Sequence, residues 1–201
     1  MLIQNHTAGA AIVVFHEIYG KNQHISRVCE QYHNLGYDVY CPDLLDGAEA
    51  FPYSRQQEAY EHFKANIGFD VFENYVQLLS KLRPKYRSIV LIGYSVGATI
   101  AWRCSASGLC DGMVGYYGSR IRDYPEVKPK CPTLLIFAEN EPNFDPRNLA
   151  RTLGHKKYTS IVTLGGNHGF CDPYTINYTP SSAAKAELLT DEFLDRIKAG
   201  S

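Results

Sequence analysis

The pentapeptide Gly93-Tyr94-Ser95-Val96-Gly97 constrains the fold more than any other stretch of the chain. An apolar, partly β-branched run (residues 88–92) precedes it and helix-compatible residues follow it, which predicts a strand, a sharp turn and a helix with G-x-S-x-G at the bend. In such a bend a side chain at Gly93 or Gly97 would collide with neighbouring elements, and backbone strain lifts the serine hydroxyl above the sheet. The pattern therefore predicts that Ser95 is a nucleophile; the alternative is a glycine-rich turn without chemistry.

Apolar runs and amphipathic segments alternate along the whole chain. The predicted strands span residues 11–15, 37–41, 88–92, 113–117, 133–137 and 160–164. The predicted helices span residues 22–35, 55–82 with a break near Gly68, 98–107, a segment opened by Asp145-Pro146, and a last segment opened by Thr179-Pro180. In that last helix five apolar residues are expected to pack inward: Leu188, Leu189, Phe193, Leu194 and Ile197.

This alternation predicts an α/β fold with a doubly wound, mostly parallel sheet flanked by helices. The chain of 201 residues is long enough for one sizeable core, so we expect a single domain over residues 1–201. Ligands of such sheets bind beyond the carboxyl ends of the strands. The loops after Phe15, Ile92, Phe137 and Leu164 all lie at that edge, and we expect the functional residues there.

Charge and cysteine content narrow the class of protein. The formal net charge is −1 without a long run of one sign, so nothing favours nucleic acid or an acidic membrane surface as a partner. No apolar run reaches the roughly 20 residues of a membrane helix, and residues 1–15 lack the basic start of a signal peptide. The six cysteines lack metal-ligand spacing, so we expect free, mostly buried thiols and a cytoplasmic protein.

A serine hydroxyl needs a base to take its proton, and the base needs an acid to orient it. His168 is the predicted base, because it lies on a glycine-rich loop between the last strand and the last helix. The alternative for His168 is a loop histidine bonded to a nearby carbonyl. Five other histidines are expected on a terminus, on helix surfaces or in a charged turn: His6, His24, His33, His62 and His155.

The orienting acid is expected in the loop at residues 137–145, which carries three carboxylates. Asp145 precedes a proline and is a candidate helix N-cap. Glu139 follows the predicted strand very closely, whereas Glu141 lies where the loop can turn back toward His168. We therefore prefer Glu141 as the acid and keep Asp145 as the alternative.

An oxyanion hole needs two main-chain N–H groups. One is expected from Val96, after the nucleophile, and the other from the first strand's loop near Ile18. The side chains of His16 and Glu17 are then expected on the pocket floor. A zinc site formed by His16, Glu17 and His168 is a less favoured alternative. We therefore predict no metal or cofactor. Five loop aromatic residues are candidates for the pocket wall: Tyr19, Tyr53, Tyr60, Phe144 and Phe170.

Five separated motifs resemble those of the dienelactone hydrolases, in the same order and over nearly the whole chain. They are His16-Glu17-Ile18-Tyr19-Gly20, the stretch from Gly36-Tyr37 to Cys41-Pro42-Asp43-Leu44, Val114-Gly115-Tyr116-Tyr117-Gly118, Pro125-Glu126-Val127-Lys128 and Gly166-Asn167-His168-Gly169-Phe170. The resemblance implies an α/β-hydrolase fold and hydrolysis of a small ester or lactone through an acyl-enzyme. Carried over by position, it implies Ser95 as nucleophile, His168 as base, Glu141 as acid, and Glu17 as a contact of the resting nucleophile.

The chain departs from that family's pattern at several positions. The best-known members of the family have cysteine and aspartate where this chain has Ser95 and Glu141. The serine favours ordinary esterase chemistry and weakens the expectation that Glu17 contacts the resting nucleophile. Those members bind a substrate carboxylate with two arginines. At one of those positions, four residues before Tyr60, this chain has Gln56, and at the other it has Asp172. Without those guanidinium groups, dienelactone itself is not the expected substrate.

The start of the chain also differs from that of the family it resembles. The first predicted strand directly precedes the His16–Gly20 loop, so we expect an N-terminally shortened fold whose sheet edge is bare or covered by a partner. Because bare edges associate, this predicts a homodimer. Two other functions are kept as alternatives, a non-catalytic protein of this fold that binds a small ligand or protein partner, and an acyl transferase.

Overall fold

The computed structural model describes residues 2–3, 9–142 and 144–200; His6 lies outside the described residues. Within these ranges the strands are β1 (Leu2–Ile3), β2 (Ala10–Phe15), β3 (Asp38–Tyr40), β4 (Ser88–Tyr94), β5 (Gly112–Tyr116), β6 (Thr133–Asn140) and β7 (Thr159–Asn167). The α-helices are α1 (Gln23–Asn34), α2 (Gln56–His62), α3 (Phe72–Leu82), α4 (Val96–Cys104), α5 (Pro146–Leu153) and α6 (Pro180–Ala199).

The described strands form one sheet in the order β1-β3-β2-β4-β5-β6-β7. All pairs from β3 to β7 are parallel, which confirms the predicted doubly wound sheet. The edge of β3 was expected to be bare or covered by a partner, and it is instead paired antiparallel with β1 of the same chain through Leu2–Tyr40 and Ile3–Val39. The two-residue β1 is then the edge strand, and the homodimer stays a prediction.

Both faces of the sheet are covered, which is why β2 reads as a continuous apolar run. Its odd-numbered residues Ala11, Val13 and Phe15 belong to a core with residues of α3, α4 and α5. Its even-numbered residues Ile12 and Val14 belong to a second core with residues of α1 and α6. Alternate side chains of a strand point to opposite faces, so a strand between two helical layers is apolar on both.

Most element boundaries lie close to those predicted, and the exceptions fall at the carboxyl ends of β6 and β7. The segment at 55–82 divides as expected at Gly68, whose φ of +67° suits a residue without a side chain. Strands β6 and β7 run three residues beyond the predicted ends at 137 and 164, because their parallel pairing continues to Asn140 and Asn167. His168 therefore follows β7 directly.

Two predictions of exposure or burial are wrong. Leu188 on α6 is 49% exposed rather than packed inward. His24 is buried rather than on a helix surface, because its ring packs edge-on against Tyr94 beneath α1. No helix in the described ranges is both long and apolar enough for a membrane crossing.

Candidate active site

Ser95 stands at the bend between β4 and α4 in a strained conformation. Its φ of 53° and ψ of −113° lie where residues with side chains are rarely found. A Cβ at Gly93 would come 2.6 Å from the Cα of Ala98, and one at Gly97 would come 2.6 Å from the carbonyl carbon of Phe15. The two glycines are therefore required by the close approach of α4 to β4 and β2, as the sequence predicts.

Ser95, His168 and Glu141 form one chain of hydrogen bonds. The distance from Ser95 Oγ to His168 Nε2 is 2.9 Å, and from His168 Nδ1 to Glu141 Oε2 it is 2.8 Å. The His168 side chain is 31% exposed, whereas that of Glu141 is 1% exposed. A neutral imidazole that donates from Nδ1 to the carboxylate leaves Nε2 free to accept the serine proton.

The other two carboxylates of the loop are engaged elsewhere. Asp145 caps α5, with its Oδ1 accepting a hydrogen bond from the Arg147 main-chain N–H at 2.9 Å. Glu139 forms an exposed ion pair with the Arg147 guanidinium at 3.2 Å. The structure thus places Glu141, and neither Asp145 nor Glu139, against the His168 ring.

The surroundings of His168 act on its pKa in opposite directions. Burial lowers the pKa, but the hydrogen bond and the charge of Glu141, together with the charge of Glu17, raise it above its ordinary value of 6.5. The net rise means that the protonated ring is stabilised where it sits. A base with this property can hold a proton taken from a serine until a leaving group needs it.

Two contacts that the sequence reasoning missed support the His168 loop. Asn177 Nδ2 donates to the His168 main-chain carbonyl at 2.8 Å. The ring of Tyr117 lies 5.0 Å from the His168 ring, centroid to centroid. Tyr117 belongs to a motif quoted for the family resemblance, but nothing in the sequence marks Asn177.

A third contact ties the same loop to the start of α1. Tyr53 donates its hydroxyl proton to Asp172 Oδ2 at 2.5 Å, and the Asn22 side chain donates to the Tyr53 oxygen at 3.0 Å. Asp172 is 1% exposed, and its Oδ1 also accepts from the Tyr174 N–H. The residue at one of the family's arginine positions therefore serves here as a buried acceptor.

The predicted oxyanion residues line the same cavity as Ser95. Val96 is the first residue of α4, so its N–H has no acceptor one turn earlier within the helix. Ile18 lies in the loop after β2, and both residues contribute to the cavity wall. Their roles as donors to an oxyanion stay a prediction.

The expectation that His16 lines the pocket floor is wrong. Its ring is buried, with Nδ1 donating to the Glu17 carbonyl at 2.7 Å and Nε2 accepting from the Leu44 N–H at 2.9 Å. Burial lowers the pKa of His16 to about 4, so the ring is neutral at neutral pH. His16 therefore fixes the loop that carries Ile18, and with both nitrogens engaged it is not available as a zinc ligand.

Glu17, by contrast, lines the cavity as predicted. Its side chain is buried, and burial raises its pKa to about 7, against the opposing charge of His168. No hydrogen-bond partner of Glu17 Oε1 lies within the described part of the chain. The group is therefore a carboxyl that is partly protonated at neutral pH, next to the candidate base.

The cavity in front of Ser95 has a volume of about 1160 Å³. Of the five aromatic candidates, Tyr19 and Tyr60 line it. Phe170 is instead fully buried against Tyr117, and Phe144 packs edge-on against Phe137, so these two are wrong as wall residues. Tyr53 does not line the cavity either; it bonds to Asp172 behind the wall.

Two arginines that the sequence reasoning did not single out also line the cavity. Arg120 and Arg122 lie in the single-turn helix Ser119–Asp123 that follows β5. The signal that could have found them is positional, because polar residues directly after a parallel strand lie at the ligand edge of the sheet.

The cysteines behave as predicted and stand apart from this site. None of the six forms a disulfide, and each is buried except Cys171, which is partly exposed. Across residues 2–3, 9–142 and 144–200, no group of three or more His, Cys, Asp or Glu side chains is arranged to hold a metal ion.

Comparison with known proteins identifies what the chain is similar to. The model of the dienelactone hydrolase family matches residues 1–198. The uncharacterized protein YczH of Bacillus subtilis is 38% identical over 169 residues, which cover 83% of each chain. The carboxymethylenebutenolidase of Pseudomonas putida is 26% identical, covering 94% of this chain and 86% of that protein. Among solved structures, a dienelactone hydrolase-like promiscuous phosphotriesterase, P91, from metagenomic libraries superposes with a TM-score of 0.76 at 16% identity, covering 94% of this chain and 87% of that one.

Proposed function

The chain belongs to the dienelactone hydrolase family, and on that premise we propose that it hydrolyses a small ester or lactone with Ser95 as nucleophile, His168 as base and Glu141 as the orienting acid. The observation that supports this most strongly is the unbroken hydrogen-bond chain from Ser95 Oγ through His168 to Glu141 at the wall of a large cavity. Family membership supports the reaction class, and the geometry supports the assignment of roles.

In the acylation step, His168 Nε2 takes the proton as Ser95 Oγ attacks the ester carbonyl carbon. The carbonyl oxygen gains negative charge, which the N–H groups of Val96 and Ile18 stabilise together with the positive end of α4. The tetrahedral intermediate collapses when the protonated His168 gives its proton to the leaving oxygen. This breaks the ester bond and leaves the acyl group on Ser95.

In the deacylation step, water takes the place of the released alcohol. His168 removes a proton from the water as the water oxygen attacks the acyl carbon. The bond between the acyl carbon and Ser95 Oγ then breaks as His168 returns the proton to Oγ, which releases the acid product. Glu141 holds the ring in the required tautomer throughout and stabilises its positive charge. An alcohol or amine acceptor in place of water would give acyl transfer by the same steps.

The test is turnover of p-nitrophenyl acetate by the wild-type protein, Ser95→Ala and the exposed-site control Ser54→Ala. We expect a burst of p-nitrophenol from the wild type and the control, and a loss of roughly 10³-fold or more in kcat for Ser95→Ala. A folded wild-type protein no faster than Ser95→Ala would reject the proposal and favour non-catalytic binding.

A further inference from the structure

The arginines that line the cavity lie on a different side of it than the family resemblance implies. At the two positions where the resemblance places arginines, Gln56 and Asp172 line the cavity and bring no positive charge. Arg120 and Arg122 line it instead, from the turn that follows β5. Strands β2 and β5 flank β4 on opposite sides. The arginines therefore lie on the side of Ser95 away from the β2 loop.

Three of the four acidic residues that line the cavity are bonded to other groups. Glu141 is bonded to His168, Asp172 accepts the Tyr53 hydroxyl, and Glu139 pairs with Arg147. Burial of Glu17, the remaining cavity carboxyl, raises its pKa to about 7 and reduces its negative charge at neutral pH. In the described structure none of these carboxyl groups forms an ion pair with Arg120 or Arg122, whose acidic partner is Asp123.

Arg120 and Arg122 share a single carboxylate. Asp123 Oδ2 lies 2.8 Å from Arg120 Nε, and Asp123 Oδ1 lies 3.9 Å from Arg122 Nε. Two guanidinium groups against one carboxylate leave an excess of one positive charge on this wall. An anion that bound beside this turn would meet that local excess.

The Arg122 guanidinium is held in place before any ligand binds. One of its terminal nitrogens donates to the Ser119 carbonyl at 2.5 Å, and its central carbon lies 5.3 Å from the centroid of the Phe144 ring. Its side chain is 25% exposed. A partly desolvated, fixed guanidinium loses little conformational entropy on binding a carboxylate and can form a two-pronged contact with it.

We propose that Arg120 and Arg122 form a subsite for a carboxylate carried by the ester substrate, which makes them specificity-determining residues. This inference rests on the proposed function and narrows its substrate class to esters with an anionic arm. With the oxyanion directed at Val96 and Ile18, on the β2 side, that arm extends from Ser95 toward the β5 side.

The test compares one neutral and two anionic esters in the wild type, Arg120→Gln/Arg122→Gln and Arg122→Lys. p-Nitrophenyl butyrate is neutral, mono-p-nitrophenyl glutarate has the carboxylate on the acyl arm, and 4-acetoxybenzoate has it on the leaving group. We expect the double variant to lower the ratio of anionic to neutral kcat/KM by about 10- to 100-fold for one of the anionic esters. Arg122→Lys keeps the charge and should lose less.

Arg151→Gln is the matched control, because this exposed arginine of α5 does not line the cavity. The subsite is rejected if the double variant, folded by circular dichroism, keeps the wild-type ratio for both anionic esters, or if Arg151→Gln changes the ratio equally.

A second measurement separates failure of the subsite from failure of the proposed function. Glutarate binding to Ser95→Ala is measured by isothermal titration calorimetry, with and without Arg120→Gln/Arg122→Gln. If glutarate binding depends on the two arginines but the wild type cleaves none of the esters, the subsite is supported and hydrolysis is rejected. If the wild type shows Ser95-dependent hydrolysis, but glutarate binding does not depend on the arginines and the ratio is unchanged, hydrolysis is supported and the subsite is rejected.

Discussion

At the scale of single residues, three ionisable groups around Ser95 are held in different states by their surroundings. Burial lowers the pKa of His16 to about 4 and raises that of Glu17 to about 7. Burial also lowers the pKa of His168, but Glu141 reverses the direction. The region around Ser95 thus combines a neutral histidine that holds a loop, a partly protonated carboxyl, and a histidine suited to take up a proton.

The Glu141→Gln substitution tests the last of these states. Below its pKa, His168 is protonated and cannot act as a base, so kcat/KM of the wild type should rise with pH through a midpoint above 6.5. Without the Glu141 charge, less opposes the lowering of the His168 pKa by burial, and we expect the midpoint to fall. The rate itself should fall roughly 10²- to 10⁴-fold. A pH profile of ester hydrolysis measures both, and an unchanged midpoint would contradict the assignment.

The Glu17→Gln substitution tests the buried carboxyl through stability. Between the unfolded pKa of 4.5 and the folded pKa of about 7, the native state holds a proton that the unfolded state has lost. The wild-type free energy of unfolding therefore loses a contribution as pH rises through this window, and the loss is complete above it. Relative to wild type, Glu17→Gln should gain about 3 kcal/mol between pH 4.5 and pH 8.

Urea unfolding at several pH values measures this difference. The exposed Glu126→Gln is the control for loss of a surface carboxylate. A difference between Glu17→Gln and wild type that stays the same at every pH would show that the Glu17 carboxyl is ionised in the folded state at neutral pH without penalty.

At the scale of elements, the loop between β7 and α6 supplies His168 and is fastened at both sides of that residue. Asn177 donates to the His168 carbonyl, and Asp172 joins the loop to Tyr53 and, through it, to the N-cap residue of α1. These hydrogen bonds therefore tie the loop to α1 and to the turn that carries Tyr53. Because these contacts touch no reacting atom, we regard Tyr53 and Asp172 as positioning residues.

Tyr53→Phe should therefore reduce catalysis by loosening the histidine loop. The substitution removes one of the donors to the buried Asp172 carboxylate while it keeps the aromatic ring. We expect kcat for a neutral ester to fall about 3- to 30-fold, with a smaller change in KM and a destabilisation of roughly 1–3 kcal/mol. The exposed Tyr158→Phe is the control. A wild-type kcat in a folded Tyr53→Phe protein would contradict the positioning role.

Sequence periodicity predicted the existence of most elements, but their ends depended on tertiary pairing. The continuous apolar run at 133–137 identified β6, yet its last residues are polar and exposed and pair only because β7 lies beside them. In the same way, α1 buries His24, since the Tyr94 ring beneath it supplies an aromatic partner that no local pattern reveals. The short β1 went unrecognised because two residues carry no periodicity.

At the scale of the whole molecule, the parallel sheet brings together residues that are far apart in sequence. Ser95 and His168 are 73 positions apart, yet their side chains meet at 2.9 Å. The G-x-S-x-G and histidine-loop motifs made that meeting predictable, because carboxyl ends of parallel strands share one edge. The cavity charges were not predictable, since they depend on which neighbours each acid and arginine finds: Asp123 for Arg120 and Arg122, Arg147 for Glu139.

The most direct test of the account is labelling of the intact protein with a fluorophosphonate, followed by peptide mass spectrometry. This probe bonds covalently to a serine hydroxyl activated by a neighbouring base. We predict a single adduct on Ser95, formed much more slowly in His168→Ala and absent in Ser95→Ala. A folded wild-type protein that stays unlabelled at Ser95, or that is labelled equally fast without His168, would contradict it.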